Sequence, residues 1–201
     1  ASAYYGAYIP QTLLEVRIND DTVVKRGAFY NLNVTGDLNI IMSNVTTIED
    51  YAFYNANSLV QITVPSSVET IGTYTFAEID KLKEATIGGT VLGTHMFENC
   101  KSLTKVELTN VTNVSGYAFN GCTALNSVSL NSTGLITISE YAFNNCSSIG
   151  YIDLPSSLVT IGDYAFNNCT RLYLYANNNI SALPDNLTTL GNYAFNNCDA
   201  L

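Results

Sequence analysis

The chain has 201 residues, of which 47% are hydrophobic, 11% aromatic and only 12% charged, a composition that favours a packed globular chain over a disordered one. Its formal net charge is −9 and no basic cluster is present, so nucleic acid is not an expected partner. No apolar run approaches the roughly 20 residues that span a bilayer, so we do not expect this segment to insert into a membrane.

The first residues, 1–12, are rich in Ala and Tyr and share no pattern with the rest of the chain. We expect them to be a cap or a cloning remnant. The apolar residues that follow are Leu13, Val16 and Ile18, and the last two alternate with polar neighbours. That alternation predicts a short, half-buried strand.

One motif then recurs to the end of the chain and is clearest at residues 161–169. Its Phe accounts for all eight Phe of the sequence, at steps of 24, 23, 21, 22, 24, 23 and 29 residues. These residues are Phe29, Phe53, Phe76, Phe97, Phe119, Phe143, Phe166 and Phe195. Self-similarity at a period of about 20 to 50 residues is typical of a solenoid, in which each rung packs against its neighbours. We therefore predict a single solenoid domain over residues 1–201, with about eight rungs of 21–29 residues.

Apolar positions within each rung are fixed relative to its Phe. The residue five places earlier is always apolar, and the residue three places later is apolar or Cys. In most rungs apolar residues return six, nine and eleven places after Phe, and the last two flank a polar residue. This alternation predicts a short strand. The residues around Phe are too few for a stable helix, so we predict a single helical or 3₁₀ turn opposite the strand.

Two stretches depart from the repeat. After Phe29, Thr35 replaces the expected Leu, although we predict that Leu38 and Ile40 keep the strand. Residues 171–180 lengthen the last step and are predicted to bulge from the surface as an irregular loop. The sequence stops at Leu201, just after the opening of another repeat, so we expect the last repeat to be truncated and the parent protein to continue.

All five Cys stand three places after Phe, a slot that Leu32, Ala56 and Ile79 fill in other rungs. A slot that accepts Leu and Ile predicts buried free thiols. Disulfides between neighbouring rungs and a metal site are the alternatives. The sequence has no nucleophile–base pair, metalloprotease motif, phosphate loop or dinucleotide fingerprint. We therefore predict a protein that is not an enzyme and needs no cofactor.

A Tyr stands two places before Phe in six rungs, and His95, the only His, takes this place in another. Such a column of rings either packs over the turn with its hydroxyl groups in water, or stacks against sugars or the side chains of a partner. We interpret His95 as a surface residue in place of Tyr rather than as a catalytic base or a metal ligand.

The outward strand positions vary between rungs while the inward positions repeat. Stacked rungs place such polar side chains side by side, as in the extended surfaces that solenoids use for binding. The alternative is a solvated face without a partner. The candidate partner-binding residues are Gln61, Thr63, Lys83, Glu84, Thr86, Lys105, Glu107, Ser127, Ser129, Tyr151 and Asp153.

Residues 154–172 read Leu-Pro-Ser-Ser-Leu-Val-Thr-Ile-Gly-Asp-Tyr-Ala-Phe-Asn-Asn-Cys-Thr-Arg-Leu. This motif closely resembles the BspA-type (Treponema-type) leucine-rich repeat, and the resemblance covers roughly residues 10–201. It implies a β-rich α/β fold: a right-handed leucine-rich-repeat solenoid with a parallel sheet on one face and short helical or 3₁₀ turns opposite. Family members are mostly secreted or surface proteins of bacteria and some protozoan parasites, associated with adhesion to host proteins or other cells.

Three functions follow as hypotheses. The first is a protein-binding adhesion module, extracellular or at the cell surface, that acts as a monomer on extracellular or host proteins. The second is a structural spacer that projects another domain. The third is a glycan-binding surface built on the Tyr column.

Overall fold

The computed structural model describes residues 12–89, 92–130, 134–176, 179–180 and 182–201. The cap or remnant predicted for residues 1–12 therefore lies, except for Thr12, outside the described residues. Within the described ranges the chain forms sixteen short strands and no helix. They are β1 (Glu15–Ile18), β2 (Val23–Val24), β3 (Asn39–Met42), β4 (Thr47–Ile48), β5 (Gln61–Val64), β6 (Thr70–Ile71), β7 (Glu84–Ile87), β8 (Lys105–Leu108), β9 (Asn113–Val114), β10 (Ser127–Ser129), β11 (Thr137–Ile138), β12 (Tyr151–Asp153), β13 (Thr160–Ile161), β14 (Tyr173–Ala176), β15 (Asn179–Ile180) and β16 (Thr189–Leu190).

The strands stack into parallel sheets, as a solenoid requires. One sheet has the order β15-β14-β12-β10-β8-β7-β5, in which only the β14–β15 pair is antiparallel. β1 and β3 form a separate parallel pair. Apart from β15, the two-residue strands form two further parallel sheets, β2-β4-β6 and β16-β13-β11-β9. The chain thus winds through about seven turns, and the predicted count of eight rungs is not confirmed.

The eight Phe form one column through the core. Successive rings are stacked with centroids 4.8 to 5.5 Å apart and interplanar angles of 4° to 13°. The six inner rings, from Phe53 to Phe166, are fully buried. The inward strand residues, such as Val106 and Leu108 of β8, pack in the same cluster. Corresponding side chains of successive rungs therefore share one hydrophobic core.

The segment around each Phe is a series of turns, so the predicted helical or 3₁₀ turn is not confirmed. In one rung the Phe119 N–H donates to Ala142 O of the next rung at 2.8 Å, whereas the Cys122 N–H donates back to Phe119 O at 3.1 Å. The backbone φ is positive two places before and two places after Phe, as at Tyr141 (55°) and Asn145 (60°). A continuous right-handed helix excludes such values.

Two strand predictions need correction. β3 turns Ile40 and Met42 inward, in register with Val16 and Ile18, whereas Leu38 precedes the strand and makes a single bridge to Leu59. Residues 171–180 do not simply bulge. Within them, β14 continues the sheet in register with β12 and buries Leu174, and β15 pairs antiparallel with β14.

In the four rungs that have glycine four places before Phe, the neighbouring rung approaches this position closely. The Gly93 position places a Cβ only 2.1 Å from Gly72 O in the rung below, so a larger residue there would require the backbone to move. The φ of these glycines is not positive.

Candidate functional site

The outward side chains of β5, β7, β8, β10, β12 and β14 form one surface, called here the sheet face. The register of the strands aligns them in two rows. The first row contains Gln61, Glu84, Lys105, Ser127, Tyr151 and Tyr173. The second contains Thr63, Thr86, Glu107, Ser129 and Asp153. The structure thus brings together ten of the eleven predicted residues.

Lys83 belongs to neither row. It is exposed but lies one residue before β7, and its backbone pairs with the neighbouring rungs through Val60 O and the Thr104 N–H. Tyr173 was missed because the lengthened last rung shifts its inward strand residue from nine to eight places after Phe. Alternation around Leu174 would have identified it.

Charge on the sheet face is concentrated in its middle. Lys105 Nζ and Glu107 Oε1 are 2.7 Å apart, and both side chains are nearly half exposed. The hydrogen bond to Glu107 raises the pKa of Lys105. Ser127 and Ser129 on the next strand are small, so they leave an uncharged strip beside this pair.

The β12–β14 end of the sheet face is aromatic. Tyr151 and Tyr173 are partners in the register of adjacent strands, and they are 53% and 50% exposed. Asp153 is exposed on the same strand as Tyr151. Large rings that keep much of their surface in water are the side chains that most often anchor a protein partner.

A second aromatic array, called here the tyrosine column, lies outside the sheet face. It consists of Tyr51, Tyr74, His95, Tyr117, Tyr141, Tyr164 and Tyr193. Neighbouring centroids are 4.3 to 5.2 Å apart, so each inner ring is covered on both faces by its neighbours. Sugars stack on ring faces. The inner rings of the column therefore offer a glycan only their edges.

His95 is an integrated member of the tyrosine column. It is half-buried between Tyr74 and Tyr117, at 4.3 and 4.6 Å, and its Nδ1 lies 2.7 Å from Glu98 Oε2. The interpretation of His95 as a simple surface residue therefore understates its packing, because its ring is stacked between rings of the two neighbouring rungs.

Two amide columns run beside the turns, and the sequence interpretation did not identify them. In the first column, the Asn one place after Phe donates its Nδ2 to the side-chain oxygen at the same position of the preceding rung, at 2.7 Å. The column starts with the acceptor Glu98 and continues through Asn120, Asn144, Asn167 and Asn196. Two places after Phe, Asn145, Asn168 and Asn197 form a similar series at 2.7 to 2.8 Å. The recurring Asn-Asn pair was the available signal. These amides hold the rungs together.

The five thiols are free, and four are buried. Each donates to the Phe carbonyl of the rung below, as Cys146 Sγ does to Phe119 O at 3.1 Å. Burial raises the pKa of Cys100 to about 12 and that of Cys198 to about 11. Burial also raises the pKa values of Cys122, Cys146 and Cys169. Because the thiolate is the reactive form, these thiols are packing groups.

Within the described ranges, no three His, Cys, Asp or Glu residues are grouped so as to hold a metal ion. The same part of the chain contains no helix with the length and hydropathy to cross a bilayer.

Stacked parallel rungs around a single Phe column, with one variable sheet face, define a leucine-rich-repeat solenoid. The family model described as BspA type leucine rich repeat region matches in six copies, over residues 22–130 and 90–201. The chain therefore belongs to the BspA-type leucine-rich repeat family.

Solved structures of similar fold come from bacteria. A leucine-rich repeat protein from Eubacterium ventriosum matches with a TM-score of 0.77 and 28% identity, over 88% of this chain and 46% of that one. A leucine rich cell surface protein from Faecalibacterium prausnitzii matches with a TM-score of 0.57 and 21% identity, over 82% and 60%. The T. pallidum leucine rich repeat protein matches with a TM-score of 0.54 and 21% identity, over 94% and 71%. The chain thus spans less than half of the Eubacterium structure. No curated protein matches it.

Proposed function

We propose that this chain is a non-enzymatic adhesion module, located outside the cell or at its surface, and that its sheet face binds an extracellular or host protein. Repeats of this family are a general scaffold for protein interaction, and one solved relative is described as a cell surface protein. The observation that carries the proposal is the contrast between faces. Repeated columns of stacked rings and paired amides occupy the turns, whereas the sheet face varies from rung to rung.

The aromatic end of the sheet face is where we expect most of the binding energy. A few well-placed aromatic residues dominate typical protein interfaces, whereas exposed ion pairs such as Lys105–Glu107 contribute little. Tyr151 and Tyr173 together offer a broad, uncharged contact beside the two Ser residues of β10.

The test measures binding of the chain to a panel of immobilised extracellular-matrix proteins at physiological salt. We expect Tyr151→Ala and Tyr173→Ala each to weaken binding by about tenfold or more, as for interface anchors. Tyr30→Ala is the matched control, because Tyr30 is also 50% exposed but stacks on Tyr54 away from the sheet face. No binding to any panel protein would favour a spacer, and an equal loss with Tyr30→Ala would place the contact elsewhere.

A further inference from the structure

Three strands of the sheet face, β10, β12 and β14, contain a single charged residue. They read Ser-Val-Ser, Tyr-Ile-Asp and Tyr-Leu-Tyr-Ala, so the charge is the carboxylate of Asp153. Asp153 is exposed, and no group of the described residues donates a hydrogen bond to its side chain or forms an ion pair with it. Within the described part of the chain, this carboxylate is therefore available to a partner.

The nearest other charges do not compensate Asp153. Glu107 lies in the same row two strands away, but its Oε1 is already 2.7 Å from Lys105 Nζ. Arg171 is exposed in the turn that precedes β14, whereas Asp153 pairs in register with the third residue of that strand. The two charges are thus four residues apart along the strand direction. Asp153 is a separate negative charge on a chain whose net charge is −9.

An exposed aromatic ring stands next to this carboxylate. Tyr151 is 53% exposed, and its register partner on β10 is Ser127, whose side chain is small and exposed. Alternate residues of one strand point to the same face of the sheet, roughly 6.6 Å apart, so Asp153 and Tyr151 are neighbours on the sheet face. A planar group that lies over the ring of Tyr151 is therefore within reach of the Asp153 carboxylate.

The combination of a ring and a carboxylate selects the kind of side chain that can bind. An acidic side chain would be repelled by Asp153 and by the net charge of the chain. An apolar side chain would displace water from the carboxylate and leave it without a partner. A lysine ammonium is a compact, strongly hydrated charge that suits the carboxylate alone. An arginine guanidinium is planar, stacks on aromatic rings and donates two parallel hydrogen bonds to a carboxylate.

We propose that the aromatic end of the sheet face, formed by Tyr151, Asp153 and Tyr173, binds an arginine side chain of the partner protein. The guanidinium stacks on the ring of Tyr151 and donates hydrogen bonds to the carboxylate of Asp153. Tyr173, which is 50% exposed, extends the contact along the same row. The arginine contact lies within the proposed interface and rests on the proposed function for the class of partner.

Peptide selection tests the contact, with a displayed library of random eight-residue peptides as the probe. We expect selected peptides to contain arginine, and to lose about tenfold or more in affinity for Asp153→Asn and for Tyr151→Leu. Both residues are exposed, so the variants should fold like the unmodified chain. Glu140→Gln is the matched control, because Glu140 is also an exposed carboxylate but lies beside the tyrosine column, outside the sheet face. It should leave affinity within about twofold.

Changes in the selected peptides separate the charge of the arginine from its shape. Citrulline keeps the planar end of the side chain without its charge, whereas lysine keeps the charge without the plane. We expect either replacement of the arginine to lower affinity by about tenfold or more. The arginine contact is overturned if no peptide containing arginine is selected, if Asp153→Asn and Glu140→Gln act alike, or if lysine or citrulline binds as well as arginine.

The proposed function and the arginine contact can fail separately. Matrix-protein binding that depends on Tyr151 and Tyr173 but is unchanged by Asp153→Asn would reject the arginine contact alone. Selected peptides that require both their arginine and Asp153, without any matrix-protein binding, would reject the panel proteins as partners and retain the arginine contact.

Discussion

At the scale of the residue, the tyrosine column combines a favourable contact with an unfavourable backbone. Each of its seven members has a φ of 53° to 59°, in the left-handed region. A non-glycine residue there costs roughly 1–2 kcal/mol. Gly27 takes the same position, two places before Phe29, with a φ of 63°. Stacking between neighbouring rings, worth about 0.5–1.5 kcal/mol per pair, offsets the backbone cost.

Substitution of Tyr141 separates the two contributions. Tyr141→Ala and Tyr141→Gly both remove the stacking, but only glycine relieves the backbone. We therefore expect Tyr141→Gly to have the larger free energy of unfolding, by about 1 kcal/mol, in urea titrations. At Glu140, which is exposed and has no positive φ, the glycine variant should instead be less stable than the alanine variant. A less stable glycine variant at both positions would contradict this balance.

The buried thiols predict how stability changes with pH. The Cys100 pKa is raised from 9.0 in the unfolded chain to about 12 in the fold, because burial disfavours the thiolate. The stabilising contribution is therefore complete below about pH 9 and is lost as pH rises from about 9 to about 12. Urea unfolding at about pH 7 and about pH 10.5 should show a larger loss for the unmodified chain than for Cys100→Ala. Alanine fills the same slot at position 56. Equal losses would contradict the raised pKa.

At the scale of the element, each rung is joined to its neighbours by columns of different chemistry. Phe rings and thiols fill the core, while Tyr rings and Asn amides hold the turns. A backbone that alternates local and inter-rung hydrogen bonds cannot be a helix, but it keeps these four side chains in register.

In the amide column one place after Phe, the stability lost on removing an Asn side chain should depend on its position in the column. Asn144 donates to Asn120 Oδ1 and accepts from Asn167 Nδ2, both at 2.7 Å, and it is nearly buried. Asn144→Ala leaves both partners unsatisfied, so we expect it to cost about 1–3 kcal/mol in unfolding free energy. Asn196 is exposed and ends its series, so Asn196→Ala should cost about half as much or less. Equal costs would mean that the series does not act as a chain of bonds.

Much of each element could be predicted from the sequence, because its signals are local and periodic. The fixed spacing of Phe, Cys and the inward strand residues was enough to predict the core and most of the sheet face. The turn was harder to predict, because Tyr rarely adopts the left-handed backbone that it has here, and contacts to the neighbouring rungs hold it there. The break between β3 and β5 was not predicted, because it appears only when the strands of successive rungs are aligned.

At the scale of the whole molecule, the solenoid divides its surface by role. The columns bind each rung to the next, so they cannot vary without loss of stability. The side chains of the sheet face do not hold the rungs together, so they can vary to suit a partner. Among the described residues, the long parallel strands are interrupted once, between β3 and β5.

The most direct test of this account is native-state hydrogen exchange of the unmodified chain and of Phe119→Ala. The substitution should cost roughly 3–5 kcal/mol. Because Phe119 stacks on both Phe97 and Phe143, amides in the rungs of all three Phe should lose protection together, including those of β8 and β12. Loss of protection confined to residues beside position 119, or an unchanged free energy of unfolding, would contradict a single core shared by stacked rungs.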